Sequence, residues 1–221
     1  GEILGFAGLV GAGRTEVMRA IFGADPRTSG DIYIKGKKVE INKPIDAIEK
    51  GISLVPEDRK GQGVSLTMSI RENISLVCLK QICQAGRVNL KKDREWSEKY
   101  IKALEIKTPT MEQKVKNLSG GNQQKVAIAK WLVTNSDIII LDEPTRGIDV
   151  GAKQEIYLLM NQLIEQGKSL IMISSEMPEL LGMSDRILVM HEGTITGEVS
   201  RQEATQQLIL EYASGGKMSE V

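Results

Sequence analysis

The stretch GLVGAGRT, which runs from Gly8 to Thr15, decides the fold of this chain. It follows an apolar run, Ile3 to Ala7, that predicts a buried strand, and it precedes a predicted helix from Thr15 to Phe22. Its glycines let backbone N–H groups turn inward around phosphate oxygens at the positive end of that helix. It fits the pattern GxxxxGKS or GxxxxGKT, except that arginine replaces lysine. The stretch therefore predicts a phosphate-binding loop, and a tight turn without a ligand is the alternative.

A second segment places two acids at the end of an apolar strand. Ile138 to Leu141 predict a buried strand, and Asp142 and Glu143 follow it directly. Open α/β sheets bind their ligands at the carboxyl ends of their strands. Asp142 suits a Mg²⁺ contact, and Glu143 suits a general base that orients the attacking water in phosphoryl transfer. A strand that ends in solvent-facing acids, without any site, is the alternative.

The remaining pattern predicts an α/β fold in which a mixed, mainly parallel sheet is flanked by helices. Two short runs, Asp31 to Lys35 and Lys38 to Ile41, predict an antiparallel β hairpin. The pattern in residues 69–130 is mostly helical and predicts an inserted helical lobe. We therefore expect an α/β core at 1–68 and 131–221 and a helical subdomain at 69–130. The other predicted elements are strands at 51–55, 169–174 and 186–190 and helices at 152–166 and 202–212.

The composition excludes several classes of function. Lys plus Arg and Asp plus Glu both total 29, so the net charge is zero and argues against non-specific nucleic-acid binding. The longest apolar runs are far shorter than the roughly 20 residues that cross a bilayer. Cys78 and Cys83 match neither a CxxC pair nor a zinc motif, and we interpret them as reduced packing residues. The single histidine, His191, lies in a predicted turn between two strands, which excludes a histidine mechanism elsewhere.

A third motif, LSGGNQQ from Leu118 to Gln124, carries a family resemblance. Together with the glycine loop, the segment Asp142-Glu143-Pro144-Thr145 and the segment Gly147-Ile148-Asp149, it closely resembles the ATP-binding-cassette (ABC) family over nearly the whole chain. In particular, the chain resembles the second, C-terminal cassette of the tandem ATPase subunits of bacterial monosaccharide importers of the ribose and galactoside type. The resemblance implies the P-loop ABC cassette fold and an upstream cassette that would precede Gly1.

The resemblance also implies ATP and Mg²⁺ as cofactors and assigns roles to residues. Glu143 would be catalytic, and Thr15, Glu57 and Asp142 would contact the metal. In the family, the segment that begins at Ser119 contacts nucleotide held by the opposite cassette, so that ATP lies between two domains. The residues implied in nucleotide binding are Gly8, Gly11, Ala12, Gly13, Arg14, Thr15, Glu16, Ser119, Gly120, Gly121, Asp149 and Ser175.

The implied partners are the N-terminal cassette of the same polypeptide, membrane permease subunits and, indirectly, a periplasmic sugar-binding protein, with no nucleic acid. The chain would lie peripherally at the cytoplasmic face of the cell membrane. By family analogy, we expect residues 60–73 to dock the permease. A chromosome-maintenance ATPase would need a long coiled coil between Thr15 and Ser119, and no sustained heptads occur there. A soluble cassette acting in translation and a regulatory nucleotide-binding module stay open as alternatives.

Four residues depart from the family pattern around the chain's own glycine loop. Arg14 replaces lysine, Glu16 adds a carboxylate near phosphate, Glu57 replaces glutamine and Ser175 replaces histidine. In the LSGG motif only Asn122 departs. We therefore expect a weak site at this glycine loop and a chain that mainly donates Ser119, Gly120 and Gly121 to ATP held by the partner cassette.

Overall fold

The structure is a computed structural model, and it describes residues 1–84 and 86–216. Its strands are short and mostly apolar, as expected for strands that are buried on both faces. In chain order they are β1 (Ile3–Gly8), β2 (Ile32–Ile34), β3 (Lys37–Val39), β4 (Ile52–Val55), β5 (Cys83–Gln84), β6 (Arg87–Val88), β7 (Ile138–Asp142), β8 (Ser169–Ile173), β9 (Arg186–His191) and β10 (Thr194–Ser200).

The helices alternate with the core strands along the chain. They are α1 (Arg14–Ile21), α2 (Pro44–Glu49), α3 (Ile70–Ser75), α4 (Leu79–Ile82), α5 (Leu90–Ala103), α6 (Gly120–Leu132), α7 (Val150–Glu165), α8 (Met177–Met183) and α9 (Gln206–Ala213). A π-helical turn at Arg59–Gly63 and 3₁₀ turns at Leu76–Cys78 and Val115–Asn117 complete the helical elements. None of the helices in the described residues combines the length and the apolar character that crossing a membrane requires.

The main sheet has the strand order β10-β9-β1-β8-β7-β4. β1 pairs in parallel with β8 and β9, β7 pairs in parallel with β8, and β10 is antiparallel to β9. The predicted mixed, mainly parallel sheet is therefore confirmed. The predicted turn between two strands is also present, with His191 as the last residue of β9 and the turn itself at residues 192 and 193. The register, with Asp142 beside Ile173, brings the carboxyl ends of β7 and β8 to one edge. The predicted hairpin is also confirmed, because β2 and β3 pair antiparallel around a turn at Lys35 and Gly36.

The described residues form two compact units. The first contains Gly1–Leu54, Asp137–Pro144 and the chain from Met160, and its core is the main sheet, in which Ile139 to Leu141 are at most 1% exposed. The second contains Val55–Ser136 and Thr145–Leu159. In the second unit α3 packs against α5 and α6, and Ile70, Ile74 and Val126 are fully buried.

Charged groups inside the second unit are neutralised or hydrogen-bonded, as burial requires. Arg71 pairs with the buried Asp93 and with Glu112, and Lys125 pairs with Glu155 at 2.8 Å. The buried Lys130 ammonium donates to the carbonyl of Gly63 at 2.7 Å, which ties α6 to the π-helical turn. Cys78 is a buried free thiol, and burial raises its pKa to about 12. This environment fits the predicted packing role.

Several element boundaries differ from those that the hydrophobic pattern predicts, and capping side chains explain the differences. α9 begins at Gln206, not at residue 202, because the Thr205 hydroxyl accepts a hydrogen bond from the Leu208 N–H at 3.2 Å. α7 begins at Val150, not at residue 152, and Asp149 Oδ1 accepts from the Ala152 N–H at 3.0 Å. The pattern does not predict the short helices α2 and α8, which each carry a proline in their first turn.

Residues 69–130 are mostly helical, as expected, but the helices are interrupted at two places. The short strands β5 and β6 interrupt the helices, with a turn residue, Gly86, at φ 77°. The stretch from Leu104 to Ser119 contains no α-helix, only the 3₁₀ turn, and within it Lys114 forms an isolated bridge with Ser69. The division into a core at 1–68 and 131–221 and a subdomain at 69–130 stays a prediction.

Candidate functional site

The glycine loop joins β1 to α1 with a backbone that only glycine adopts readily. Gly11 and Gly13 have φ angles of 82° and 94°, and Gly13 is the N-cap of α1 in the left-handed conformation. The Ala12 N–H donates to the carbonyl of Leu9 at 3.0 Å, which makes the loop turn tightly. Val10 at the tip of the loop is 96% exposed. The loop therefore faces solvent and ends directly at the positive pole of a helix.

Packing also fixes the base of the loop. A Cβ atom at Gly8 would lie 2.6 Å from the carbonyl oxygen of Met190 and 2.9 Å from the Cβ of Ala12. The Gly193 N–H, in the turn between β9 and β10, donates to the carbonyl of Ala12 at 3.0 Å. The β9–β10 turn therefore supports the loop through a backbone hydrogen bond.

The first acid after β7 is buried beside this loop. Asp142 is 2% exposed, the Thr15 hydroxyl hydrogen-bonds to its carboxylate, and its Oδ1 is buried with no partner among the described residues. Burial raises the pKa of Asp142 to about 6, and the charges of Glu143 and Glu16 add to this effect. The hydrogen bond from Thr15 and the positive charge of Arg14 oppose it. A buried, unpaired carboxylate oxygen is costly, so this residue is kept here at the expense of stability.

The second acid, Glu143, is held at the same edge by three constraints. Its backbone has φ 48°, a region that residues other than glycine visit rarely and that is enriched at functional sites. Its N–H donates to the carbonyl of Ile173 at 2.9 Å. The Ser175 hydroxyl donates to Oε2 of Glu143 at 3.1 Å. Ser175 thus contacts the implied catalytic carboxylate.

Arg14, which stands where the phosphate-loop pattern has lysine, points into the protein. It is 8% exposed, and its Nη1 donates to the carbonyl of Ser174 at 2.8 Å. The guanidinium therefore binds the end of β8. Glu16, in the first turn of α1, is exposed and favoured there by the helix dipole.

The oxygen atoms around the loop are of the chemical type that would bind a nucleotide phosphate together with Mg²⁺. The Thr15 hydroxyl and the unpartnered Asp142 Oδ1 are oxygen ligands of the kind that Mg²⁺ prefers, and Mg²⁺ is commonly held by one or two carboxylates plus substrate phosphates. Within 1–84 and 86–216 there is no group of three or more His, Cys, Asp or Glu that could hold a metal ion alone. The donor set is therefore suited to a metal that arrives with a phosphate ligand.

The LSGG motif begins α6 in the second unit. Ser119 is the exposed N-cap, and its Oγ accepts from the Asn122 backbone N–H at 3.4 Å and from the Asn122 side-chain amide at 2.9 Å. The Asn122 Oδ1 in turn accepts from the Lys107 N–H at 2.8 Å. Ser119 therefore caps the start of α6, and the Asn122 side chain adds a second contact.

The glycines that follow Ser119 serve close packing. A Cβ atom at Gly121 would lie 2.6 Å from the Cβ of Ala152. A Cβ atom at Gly120 would lie 3.4 Å from Nη2 of Arg59 and 3.4 Å from the carbonyl oxygen of Gly147. Arg59 Nη1 donates to the Gln124 side chain at 3.4 Å, its Nε is buried with no partner among the described residues, and desolvation lowers its pKa. A guanidinium therefore lies beside the start of α6.

The structure places the remaining implied residues in the second unit. Glu57 forms an ion pair with Arg146, so its carboxylate is already paired. Asp149 caps α7 through its Oδ1. Within the first unit the structure brings together the glycine loop, Asp142, Glu143 and Ser175, and within the second it brings Ser119, Gly120 and Gly121 to one helix end.

Sequence reasoning missed three groups that contact these residues. They are the side chains of Arg59 and Arg146 and the main-chain carbonyl of Ser174, which pack beside or pair with Gly120, Glu57 and Arg14 respectively. Each contact joins residues that are far apart along the chain. Only charge complementarity between Glu57 and Arg146 gave a signal, and a single sequence cannot pair one acid with one base among 29 of each.

Known proteins share sequence and fold with this chain. Residues 1–146 match the family model described as ABC transporter. The ribose import ATP-binding protein RbsA of Bacillus licheniformis is 56% identical over 217 residues, which are 98% of this chain and 44% of that protein. The xylose import ATP-binding protein XylG of Thermoanaerobacter pseudethanolicus is 57% identical over 218 residues, 98% of this chain and 43% of that protein. The chain thus spans less than half the length of these relatives.

A solved structure shows the same fold at lower sequence identity. The ATP-binding cassette MJ0796, in a dimeric post-hydrolysis state bound to ADP and Pi, superimposes with a TM-score of 0.76 and 24% identity. The match covers 90% of this chain and 85% of that one. The fold predicted from the motifs, a P-loop cassette with a mixed sheet and flanking helices, is therefore confirmed. On the family model and on these relatives, the chain belongs to the ABC transporter family.

Proposed function

We propose that this chain is an ATP-binding cassette of a bacterial monosaccharide importer, which couples ATP binding and hydrolysis to uptake of a sugar such as ribose or xylose. The observation that carries the proposal is the arrangement at the carboxyl edge of the sheet. The Thr15 hydroxyl and the buried Asp142, with one oxygen unpartnered, lie beside a glycine loop that opens a helix. The names of relatives that match 98% of the chain supply the substrate class.

In this proposal the residues of the first unit bind the phosphate chain and position water. The loop N–H groups bind phosphate, Thr15 and Asp142 hold Mg²⁺, and Glu143 orients the attacking water through a carboxylate that Ser175 holds. Mg²⁺, when bound, would neutralise charge on the phosphate oxygens.

We further propose that this site is degenerate and binds ATP weakly. The positive charge that would meet the phosphates belongs to Arg14. Its guanidinium is instead hydrogen-bonded to the carbonyl of Ser174. Three carboxylates, Glu16, Asp142 and Glu143, interact near the loop, and their mutual repulsion contributes to the raised pKa of Asp142. An anionic ligand therefore meets more negative than positive side-chain charge at this loop.

The main contribution of the chain would be the start of α6, donated to ATP held by a second cassette. Ser119 is exposed, Gly120 and Gly121 keep the helix end free of side chains, and Arg59 adds positive charge beside it. The second cassette would be the N-terminal one of the same polypeptide. The other partners would be permease subunits, with a periplasmic sugar-binding protein acting through them, and the location would be the cytoplasmic face of the cell membrane.

The test is steady-state ATP hydrolysis by the full-length protein with Ser119→Arg. We expect hydrolysis to be lost, because the new side chain fills the place of a phosphate ligand, although the glycine loop is untouched. Thr205→Arg is the matched control, since Thr205 is also an exposed hydroxyl N-cap, and it should leave hydrolysis unchanged. Full activity of Ser119→Arg would refute the donated-site proposal.

A second measurement concerns the chain's own glycine loop. Titration of the chain with ATP and Mg²⁺, with and without its upstream cassette, should show weak binding by the chain alone. Rapid hydrolysis by the isolated chain would contradict the degenerate-site proposal without affecting the fold or the family.

A further inference from the structure

The hydrogen bonds around Ser119 define which way its hydroxyl proton points. A serine hydroxyl has one donor and two acceptor positions. Asn122 fills both acceptor positions, through its backbone N–H at 3.4 Å and through its side-chain Nδ2 at 2.9 Å. The Ser119 proton is therefore left to be donated away from Asn122, and Ser119 itself is exposed.

The orientation of the Asn122 amide is fixed by an independent contact. The Lys107 N–H lies 2.8 Å from Oδ1 of Asn122, and a backbone N–H can only donate. The atom that faces Lys107 must therefore be the amide oxygen, which places the NH₂ group toward Ser119. A glutamine is longer by one methylene group, so it could not make both contacts from the same backbone position.

The charged groups near Ser119 indicate which kind of ligand its hydroxyl proton would be donated to. The guanidinium of Arg59 lies next to Gly120, and its Nε is buried with no partner among the described residues. The N–H groups of the first turn of α6 add partial positive charge. A hydroxyl that can only donate outward, beside positive charge, suits an oxyanion and disfavours a cation.

We propose that Asn122 is a positioning residue that holds the Ser119 hydroxyl as an outward donor to a phosphate oxygen of ATP bound by a second cassette. This inference rests on the proposed function, in which the start of α6 completes the nucleotide site. Asn122 itself does not contact the nucleotide. It replaces conformational freedom of the hydroxyl by one fixed donor direction, and pre-organised donors stabilise charge that develops in a transition state.

The experiment measures ATP hydrolysis by the full-length protein with Asn122→Asp. Aspartate has nearly the same shape and still accepts from Lys107, but it cannot donate to Ser119, so the hydroxyl proton turns inward. We expect kcat to fall about tenfold, with the KM for ATP changing far less, as for a lost hydrogen bond to a charged group. Asn89→Asp is the matched control, because Asn89 caps α5 through the same kind of bond at 3.1 Å and should keep kcat.

A double substitution separates positioning from simple charge repulsion. If Asn122 acts through Ser119, then Ser119→Ala combined with Asn122→Asp should be no slower than Ser119→Ala alone. Repulsion of phosphate by the new carboxylate would instead persist without the hydroxyl and slow the double variant further. The midpoint of thermal unfolding should stay close to wild type, since an acid in the first turn of a helix is favourable.

The outcomes distinguish this inference from the proposed function. Wild-type kcat in Asn122→Asp, or additive losses in the double variant, would overturn the positioning role. Wild-type kcat in Ser119→Ala, with Asn122→Asp also active, would instead refute the use of this helix end by a nucleotide.

Discussion

The glycine loop and the start of α6 are both helix N-termini preceded or followed by glycine, yet their surroundings differ in charge and in exposure. At the glycine loop Arg14 is buried and hydrogen-bonded to the carbonyl of Ser174. The carboxylates of Glu16, Asp142 and Glu143 interact beside it. At the start of α6 the Ser119 hydroxyl is exposed and the guanidinium of Arg59 lies next to Gly120. The comparison teaches that the N-terminus of a helix can be favourable or unfavourable to an anion, depending on the side chains around it.

The glycines of the two regions also serve different physical needs. Gly11 in the loop has a positive φ and open space where a Cβ atom would stand. Gly121 in α6 has ordinary helical geometry, but a Cβ atom would lie 2.6 Å from Ala152. The loop needs glycine for conformation, whereas α6 needs it for close approach to α7.

The largest expected effect is on packing, in the variant Gly121→Ala. We expect the free energy of unfolding to fall by about 3 kcal/mol, because the added methyl group overpacks the contact with Ala152. Urea unfolding followed by circular dichroism measures the change. Gly182→Ala, in α8 with nothing within 4 Å of the added Cβ, should instead be neutral or slightly stabilising. If Gly121→Ala and Gly182→Ala had equal free energies of unfolding, Gly121 would not be required for close packing against Ala152.

A smaller effect is expected at the glycine loop from Asp142→Asn. The native pKa of Asp142, about 6, lies above the ordinary pKa of an aspartate, so Asp142 favours folding only while it is protonated, and this stability is lost as the pH rises through 6. Asparagine resembles the protonated acid, so at pH 8 the variant should be more stable by about 2 kcal/mol. The difference should vanish below pH 4, which urea unfolding at several pH values would show.

Asp25→Asn is the control for Asp142→Asn and has the opposite sign. The hydrogen bond from Arg19 at 2.6 Å lowers the pKa of Asp25, so its contribution is present above the unfolded pKa and is lost as the pH falls. The variant should therefore be slightly less stable at neutral pH. A stabilised Asp25→Asn, or a destabilised Asp142→Asn at pH 8, would contradict these assignments.

The smallest effect on stability is expected from Arg14→Lys, which tests whether the side chains at the glycine loop make it unfavourable to an anion. Loss of the buried hydrogen bond to Ser174 should lower the free energy of unfolding by about 1 kcal/mol. The lysine ammonium can reach the phosphates as a point charge, so ATP with Mg²⁺ should bind this loop more tightly in a titration. Arg19→Lys, at a partly buried position of the same helix where the arginine pairs with Asp25, should leave ATP binding unchanged. Weaker binding in Arg14→Lys would show that the buried arginine supports the loop.

Much of the fold could be predicted from local pattern. Elements that depend on residues close together in sequence could be predicted without the tertiary structure. They are the apolar strands β1, β7 and β8, the glycine loop and the hairpin of β2 and β3. The boundaries were less predictable, because single capping hydroxyls and carboxylates such as Thr205 and Asp149 decide where helices begin. The non-helical stretch before α6 was not predicted, because backbone contacts with distant residues, such as the bridge from Ser69 to Lys114, hold part of it.

The sequence by itself determined the residue types of the site: a glycine loop ending in Thr15, two acids after β7, and an LSGG motif at a helix start. Only the tertiary structure decided the state of those residues. It directs Arg14 to Ser174, leaves one oxygen of Asp142 without a partner, pairs Glu57 with Arg146 and orients Ser119 through Asn122 and Lys107. The physical reason is that a motif specifies which donors, acceptors and charges exist, whereas burial and contacts between distant residues determine which of them stay available to a ligand.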